Sequence, residues 1–516
     1  MTTSVQGRVG RTESQFDELQ RKLVPLWESI GRSDPGGVLE DENTVVVVPS
    51  LSIDFEMSGS ELQAYEERFM FMLFLLRQPL LRMIYVTSQA VHPSIVDYYL
   101  HTLPGSIISN ARKRLHMVAP LDDSPRTLSE KLLERPQLIR HIRSLIPDMD
   151  RAHLVPYNTT EKERELAVQL GIPMYAADPR FFGFGTKSGC RQIFAEEGVQ
   201  HPLGFENLTS VNALLASIAQ MRSQKPSITR VIAKLNEGVS GFGNAVIDIS
   251  DLPAPGDPAE QEALADRLRG MRFELPEMTY DLYIEKVMDA GAVVEELIMG
   301  EAFESPSAQM RVSPLGELEL LSTHDQLLGG PSGQTYLGAS FPADVQYAPK
   351  IMREAAKVGR RFAREGIVGR FAVDFVAVKK PSGEWDTYAI EVNLRKGGTT
   401  HPFLTLQYLT DGQYDAEAGE FRTAHGHPKH YVASDHISSP AYRVFTPEIL
   451  FDIVSQYRLQ FDHTSQTGVV LHLMSAVGSR GFLGITAIGN SPEEAQAIYH
   501  RFVEVLDTEA QKALAG

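Results

Sequence analysis

Two β-patterned runs joined by a tight turn limit this chain more than any other feature. Residues 369–378 read G-R-F-A-V-D-F-V-A-V, Pro381-Ser382-Gly383 supplies the turn, and residues 388–395 read Y-A-I-E-V-N-L-R. Apolar alternation on both sides of a Pro/Gly turn defines an antiparallel hairpin, and its second strand sets Glu391, Asn393 and Arg395 at every other position, on one face. Asp374 on the first strand can join them. Two carboxylates and an amide oxygen in one patch form a hard-oxygen site suited to Mg²⁺, and an arginine beside them can hold a phosphoryl group bidentately. A solvated strand face with paired charges is the competing reading. The asparagine shifts the balance, because it is a poor strand former among Ile390 and Val392, which are expected to face a core.

Upstream, residues 230–249 read as a strand, a glycine-rich turn and a second strand. Gly238, Gly241 and Gly243, with Ser240 among them, let backbone amides converge on phosphate oxygens, while Lys234 adds a point charge. A glycine-rich hairpin with a solvated lysine fits the same letters. Lys187, in G-T-K-S-G-C-R-Q-I-F, is a second candidate phosphate ligand or a surface lysine at a helix start. Residues 281–289, D-L-Y-I-E-K-V-M-D, read as a strand running into a hinge whose backbone can bond an adenine edge. Ser305–Arg311 and L-S-T-H-D-Q-L-L-G-G read as paired strands with polar side chains near a cleft. His324 there is either a satisfied structural histidine or a substrate contact. Lys396, Gly398, Thr399 and His401, directly after the hairpin, are substrate contacts or incidental polar residues in a glycine-rich turn.

The rest of the chain frames these motifs. T-V-V-V-V-P from Thr44 and M-I-Y-V at 83–86 have the continuous β-branched character of strands buried on both faces, and Leu115–Val118 and Leu154–Pro156 extend an alternating α/β unit. No Gly-x-Gly-x-x-Gly follows any of these strands, which weakens an oxidoreductase reading. The expected division is a leader at 1–42, an α/β domain at 43–180, and a central domain at 181–410 with lobes 181–290 and 291–410. A polar linker at 411–442 and a small α+β domain at 443–516 complete it. In the last, Gly468–Met474 pairs with Gly481–Ile488, and Ser491-Pro492-Glu493-Glu494 opens a capped helix.

A net charge of −17 argues against nucleic-acid partners, which need a cationic surface. The single cysteine, Cys190, fits a reducing, cytoplasmic setting. The longest apolar run, Phe69–Leu76, is far short of the roughly 20 residues that span a bilayer and reads as a buried helix. The N-terminus lacks the apolar core of a secretory signal. The sequence is compatible with a homo-oligomer.

In order and spacing the motifs resemble the ATP-grasp superfamily: a lysine, a lysine before a glycine-rich loop, a Glu-Lys hinge, then Asp and Glu-x-Asn on neighbouring strands. Within it, S-T-H-D-Q-L-L-G-G, F-P-A and E-V-N-L-R-K-G-G-T-T-H-P resemble the pheganomycin-type peptide ligases. The resemblance implies an N-terminal pre-ATP-grasp α/β domain, a two-lobed ATP-grasp fold and a small α+β C-terminal domain. It also implies an ADP-forming carboxylate-amine ligase that joins an amino acid or peptide carboxylate to an amine through an acyl-phosphate. Asp374, Glu391 and Asn393 become ligands of two Mg²⁺ ions, Lys187 and Lys234 phosphate ligands, and Glu285, Lys286 and Met288 the adenine hinge; the resemblance does not place the ribose contact, for which Glu295 is the candidate. Some ATP-grasp ligases carry an arginine two residues before the metal aspartate, where this chain has Ala372. Arg395 or Arg311 is then left to serve the acyl-phosphate. A thiol acceptor, or ATP binding without turnover, are the alternative activities.

Overall fold

The β-branched run at 44–48 forms an inner strand of a four-stranded parallel sheet ordered β3-β2-β1-β4, made of β1 (Asn43–Val48), β2 (Leu81–Val86), β3 (Leu115–Val118) and β4 (Ala152–Pro156). The computed structural model describes residues 12–31, 42–52, 57, 59–238, 243–300, 302–329 and 335–515. The two-residue repeat of a strand explains the valine run. Val46, Val48, Ile84 and Leu154 fill one core, while Val45, Val47, Met83 and Tyr85 fill another on the opposite face. That second core continues into Leu471, Ile485 and Phe502, so the first sheet packs directly on the C-terminal elements. The apolar run at 69–76 is helical and buried as expected, in a tight 3₁₀ helix, Arg68–Arg77. From the leader, residues 12–20 and Leu23–Gly31 are helical, with Phe16 packed in the first core.

A second, five-stranded sheet forms the small lobe. It contains β5 (Gly204–Leu208), β6 (Arg230–Leu235), β7 (Asn244–Asp248), β8 (Arg272–Phe273) and β9 (Ala292–Glu296), in the order β5-β9-β6-β7-β8. β9 is an inner strand of this sheet, so the lobe runs past residue 290. The segment expected to be a hinge strand is instead a helix, Tyr280–Ala290. Thr279 caps it by accepting from the Leu282 amide, and Tyr283, Ile284 and Val287 form the buried face that a 3.6-residue period requires.

The large sheet comprises β10 (Phe303–Glu304), β11 (Pro306–Val312), β12 (Leu318–Gly329), β13 (Thr335–Phe341), β14 (Gly369–Lys379) and β15 (Trp385–Asn393). A small separate hairpin, β16 (Gln413–Asp415) and β17 (Glu420–Arg422), precedes its last strands, β18 (His430–Ser438), β19 (Gly468–His472) and β20 (Phe482–Gly489). Its order is β10-β14-β11-β12-β13-β18-β20-β19, with β15 against β14. Two expectations are corrected here. The 411–442 segment is not a linker, since β18 is an inner strand between β13 and β20. The C-terminal hairpin is not a sheet of its own, since β20 and β19 extend the sheet that carries Asp374. Helices Lys187–Glu196 and Ala348–Glu365 cover one face of β11, β14 and β15, with Val373, Phe375, Ala389 and Val392 in their shared core.

The β13–β18 junction depends on close backbone approach. A Cβ on Gly338 would lie 2.2 Å from the Ala433 carbonyl oxygen. Gly338→Val is therefore expected to cost about 1–3 kcal/mol by strain, read as a lower urea midpoint at unchanged slope. Among the described residues no helix is long and apolar enough to cross a membrane.

Candidate functional site

A cavity of about 1010 Å³ lies between the five-stranded sheet and the large sheet and reaches the first sheet at its far end. Its floor is the hairpin singled out in the sequence. Asp374 sits opposite Glu391 and Ala372 opposite Asn393, with an irregularity after Asp374 that leaves Ile390 without a partner. This bulge turns Ile390 toward the cavity beside Glu391, whereas Val392 stays in the core as expected. Asn393 Nδ2 donates to Asp374 Oδ2 at 2.8 Å, which fixes the amide's orientation. Burial, and then the neighbouring Glu391, push the Asp374 carboxyl up to about 6. Lys187, at the first turn of its helix, ion-pairs with Glu391, and Arg395 lines the cavity beside them. Two carboxylates and an amide on one face are a donor set that fits magnesium.

Lys234 on β6 faces this floor from the small lobe. Its Nζ lies 2.6 Å from Glu295 Oε2, and Arg191 Nη1 lies 2.8 Å from Glu295 Oε1, all three side chains being buried. Burial alone would raise the Glu295 pKa, but Lys234 and then Arg191 outweigh it and hold the carboxylate below its usual range. Glu295 thus lies under the lysine in the cavity wall, engaged by two cations. Gly238 and Gly243 line the cavity next to Lys234, while Ser240 and Gly241 lie outside the described residues. Ile232, Val246 and Phe273 give this end an apolar wall.

The expected hinge is corrected. Glu285, Lys286 and Met288 lie on the exposed side of the helix Tyr280–Ala290, away from the cavity. The stretch that lines it while passing from β9 toward the large sheet is Glu296-Leu297-Ile298-Met299. An apolar strand end, V-V-E-E-L-I-M, was the available signal. Glu285→Ala and Met288→Ala are expected to leave the ATP Michaelis constant within about twofold of the parent, as surface changes do. Steady-state ADP release checks this.

Other candidates divide. Gly398 and Thr399 line the cavity, with the Thr399 hydroxyl accepting from Gln309 Nε2. Arg311 does not: it shares the face of Asp374 but lies further along it, opposite Arg370, where it pairs with Glu319 at 2.7 Å beside Tyr175. His324 is fully buried, within hydrogen-bonding distance of the Tyr431 hydroxyl at 2.7 Å, and burial drives its pKa down to about 3, so it is a core histidine. Lys396 turns away and donates to the Pro156 carbonyl at 2.6 Å, with burial lowering its pKa to about 7. His401 lies behind Asp435. The sequence reading missed the far end altogether, where Tyr65, Arg68, Tyr157, Tyr336 and Asp435 line the cavity. Arg68 Nη1 donates to Asp435 Oδ2 at 2.5 Å.

Comparison with known proteins follows the same division of the chain. The family described as IQCH-like, ATP-grasp matches residues 182–266 and 261–417, and that described as PGM1 C-terminal domain matches residues 450–502. The chain is 28% identical over 440 residues to the L-propargylglycine–L-glutamate ligase of Streptantibioticus cattleyicolor, covering 84% of this chain and 87% of that protein. It is 24% identical over 438 residues to the IQ motif-containing protein H of Danio rerio, covering 76% of this chain and 40% of that protein. In fold it resembles the Campylobacter jejuni biotin carboxylase solved with ATP, at a TM-score of 0.53 and 12% identity over 88% of this chain and 89% of that one. It also resembles the biotin carboxylase domain of the Hydrogenobacter thermophilus 2-oxoglutarate carboxylase, solved with MgADP, at 0.54 and 13% identity over 90% of each chain.

Proposed function

Residues 182–417 are an ATP-grasp domain, and from that premise we propose that the chain is an ADP-forming ligase that joins the carboxylate of an amino acid or peptide to an amine through an acyl-phosphate. The observation that carries this reading is the facing of Asp374, Glu391 and Asn393 on one wall of the cavity by Lys234 on the other, with Lys187 at Glu391. The ligase from Streptantibioticus cattleyicolor, named for joining two amino acids, supports the substrate class.

Asp374, Glu391 and Asn393 would hold two magnesium ions, which when bound neutralise charge on the phosphate oxygens. Lys234, pinned by Glu295, presents a fixed positive charge to the phosphates from above. Lys187 exchanges its pairing with Glu391 for the transferring phosphoryl group. The acceptor carboxylate oxygen attacks the γ-phosphorus and ADP leaves; the amine nitrogen then attacks the acyl carbon, phosphate leaves, and the amine loses a proton. Arg395 is the arginine that lines the floor, so it holds the acyl-phosphate, and Arg311 is released from that role. Gly398 and Thr399 lie where the activated carboxylate would rest. The set of two carboxylates and two lysines is more than passive ATP binding requires, which favours turnover over sensing.

The test is ADP and phosphate release from Mg-ATP with pairs of small apolar L-amino acids and L-glutamate, followed by mass detection of the dipeptide. Release that needs both partners supports the reading. Release with one partner and a thiol, or none with any pair despite tight ATP binding, would turn it to the alternatives.

A further inference from the structure

Behind the far end of the cavity three buried side chains of ligand type converge. His401 opens the helix Thr400–Thr410, Asp435 lies on β18 and His472 ends β19, each at most 4% exposed. His472 Nε2 is 2.8 Å from Asp435 Oδ1, His401 Nε2 is 3.4 Å from the same oxygen, and the two Nε2 atoms are 3.1 Å apart. Space for the imidazole is built in. Gly484 sits opposite His472 in the β19–β20 pair, and a Cβ there would come within 2.2 Å of Nε2.

Protons satisfy this triangle only in part. A carboxylate oxygen only accepts, and each Nε2 either carries a hydrogen or presents a lone pair. With hydrogens on both, two donors 3.1 Å apart share one carboxylate oxygen. With one, the bare nitrogen faces the carboxylate oxygen; with none, all three edges are mismatched.

We propose that His401, Asp435 and His472 ligate a divalent transition metal of the zinc class, at a site separate from Asp374, Glu391 and Asn393. A cation at the centre is attracted to all three ligand atoms at once. Edges of 2.8–3.4 Å bracket the separation of about 3.3 Å that tetrahedral zinc, with bonds of about 2.0–2.1 Å, imposes on its ligands. Two imidazoles and one carboxylate suit zinc better than magnesium, which prefers all-oxygen surroundings. Arg68 on the second Asp435 oxygen restricts that residue to one-oxygen ligation and orients it, as outer partners of metal ligands do. Asp435 lines the cavity, so the site lies against its wall. With Arg68 adjacent, one carboxylate leaves the site net positive, and the fourth ligand is an anion: hydroxide, or a substrate carboxylate.

The full chain, stripped by chelator and titrated with Co²⁺ under excess Mg²⁺, is expected to bind one equivalent with the strong visible absorption of tetrahedral cobalt. The untreated protein should carry close to one zinc per chain by elemental analysis. His401→Asn and His472→Asn each remove a direct ligand and should weaken Co²⁺ binding by more than the roughly 10–100-fold that loss of an outer partner costs. Glu391→Gln should leave the absorption unchanged. No stoichiometric uptake by the folded parent, or a band that survives both histidine substitutions, overturns the proposal. The parent measurement needs no variant, so a misfolded mutant does not shield it.

Discussion

Glu391→Gln is expected to lower ADP formation by roughly 10²–10³-fold, the cost of removing one preorganised group that stabilises charge at a transferring phosphoryl centre. The same change should not lower the melting temperature of the metal-free protein. Burial and then Glu391, which stands opposite, raise the Asp374 carboxyl pKa, so glutamine relieves a repulsion that offsets the loss of the Lys187–Glu391 ion pair. Activity then falls without a matching loss of stability. Coupled ADP assay and thermal unfolding on the same preparation check both. A variant that unfolds several degrees lower yet keeps its turnover would place Glu391 in the fold and not in the chemistry.

Glu295→Gln is expected to be the more damaging change to stability. The carboxylate lies between Lys234 and Arg191 in a buried cluster, and neutralising it leaves Lys234 without its anion and Arg191 with Glu206 alone, a loss of about 3–5 kcal/mol. Lys234 then swings from its position over the floor, and the ATP Michaelis constant rises along with the instability. The pH dependence has a definite sign. Because the native pKa of Glu295 lies below its unfolded value of ~4.3, its contribution is complete above that value and is lost as the pH falls through the depressed native one. Urea unfolding at neutral and acidic pH should therefore show the gap between parent and variant narrowing in acid. A gap that is constant down to the acid limit would contradict the assignment.

The hairpin could be read from the sequence because a single local pattern carried both its fold and its chemistry: alternation set the face, and Asn393 broke the propensity rule at the very position where an oxygen was wanted. Lys234 was legible for the same reason, sitting on a strand before clustered glycines. The hinge failed because D-L-Y-I-E-K-V-M is apolar enough for either period. Only the spacing of Tyr283, Ile284 and Val287, together with the Thr279 cap, decides for a helix. β18 was hidden differently. Its Ser434, Asp435 and His436 look like linker residues, yet Asp435 is polar because Arg68, some 370 positions earlier, waits for it. A pairing between such distant residues has no local trace, and the whole far end of the cavity is assembled from pairings of that kind.

The order of strands in the large sheet also has a consequence for how the chain is made. β14 and β15, which carry the floor, belong to the same sheet as β18, and β18 is flanked by β20, which begins at residue 482. A ribosome that has released residues up to about 440 has therefore delivered every floor residue but left β18 as a bare edge, open to pairing with other chains. The small lobe, continuous from Gly204 to Glu296, has all its strands by then. Translation thus completes the strands of the small lobe first and the sheet that carries the floor last, and premature stops soon after residue 440 are expected to yield aggregates and not a folded protein.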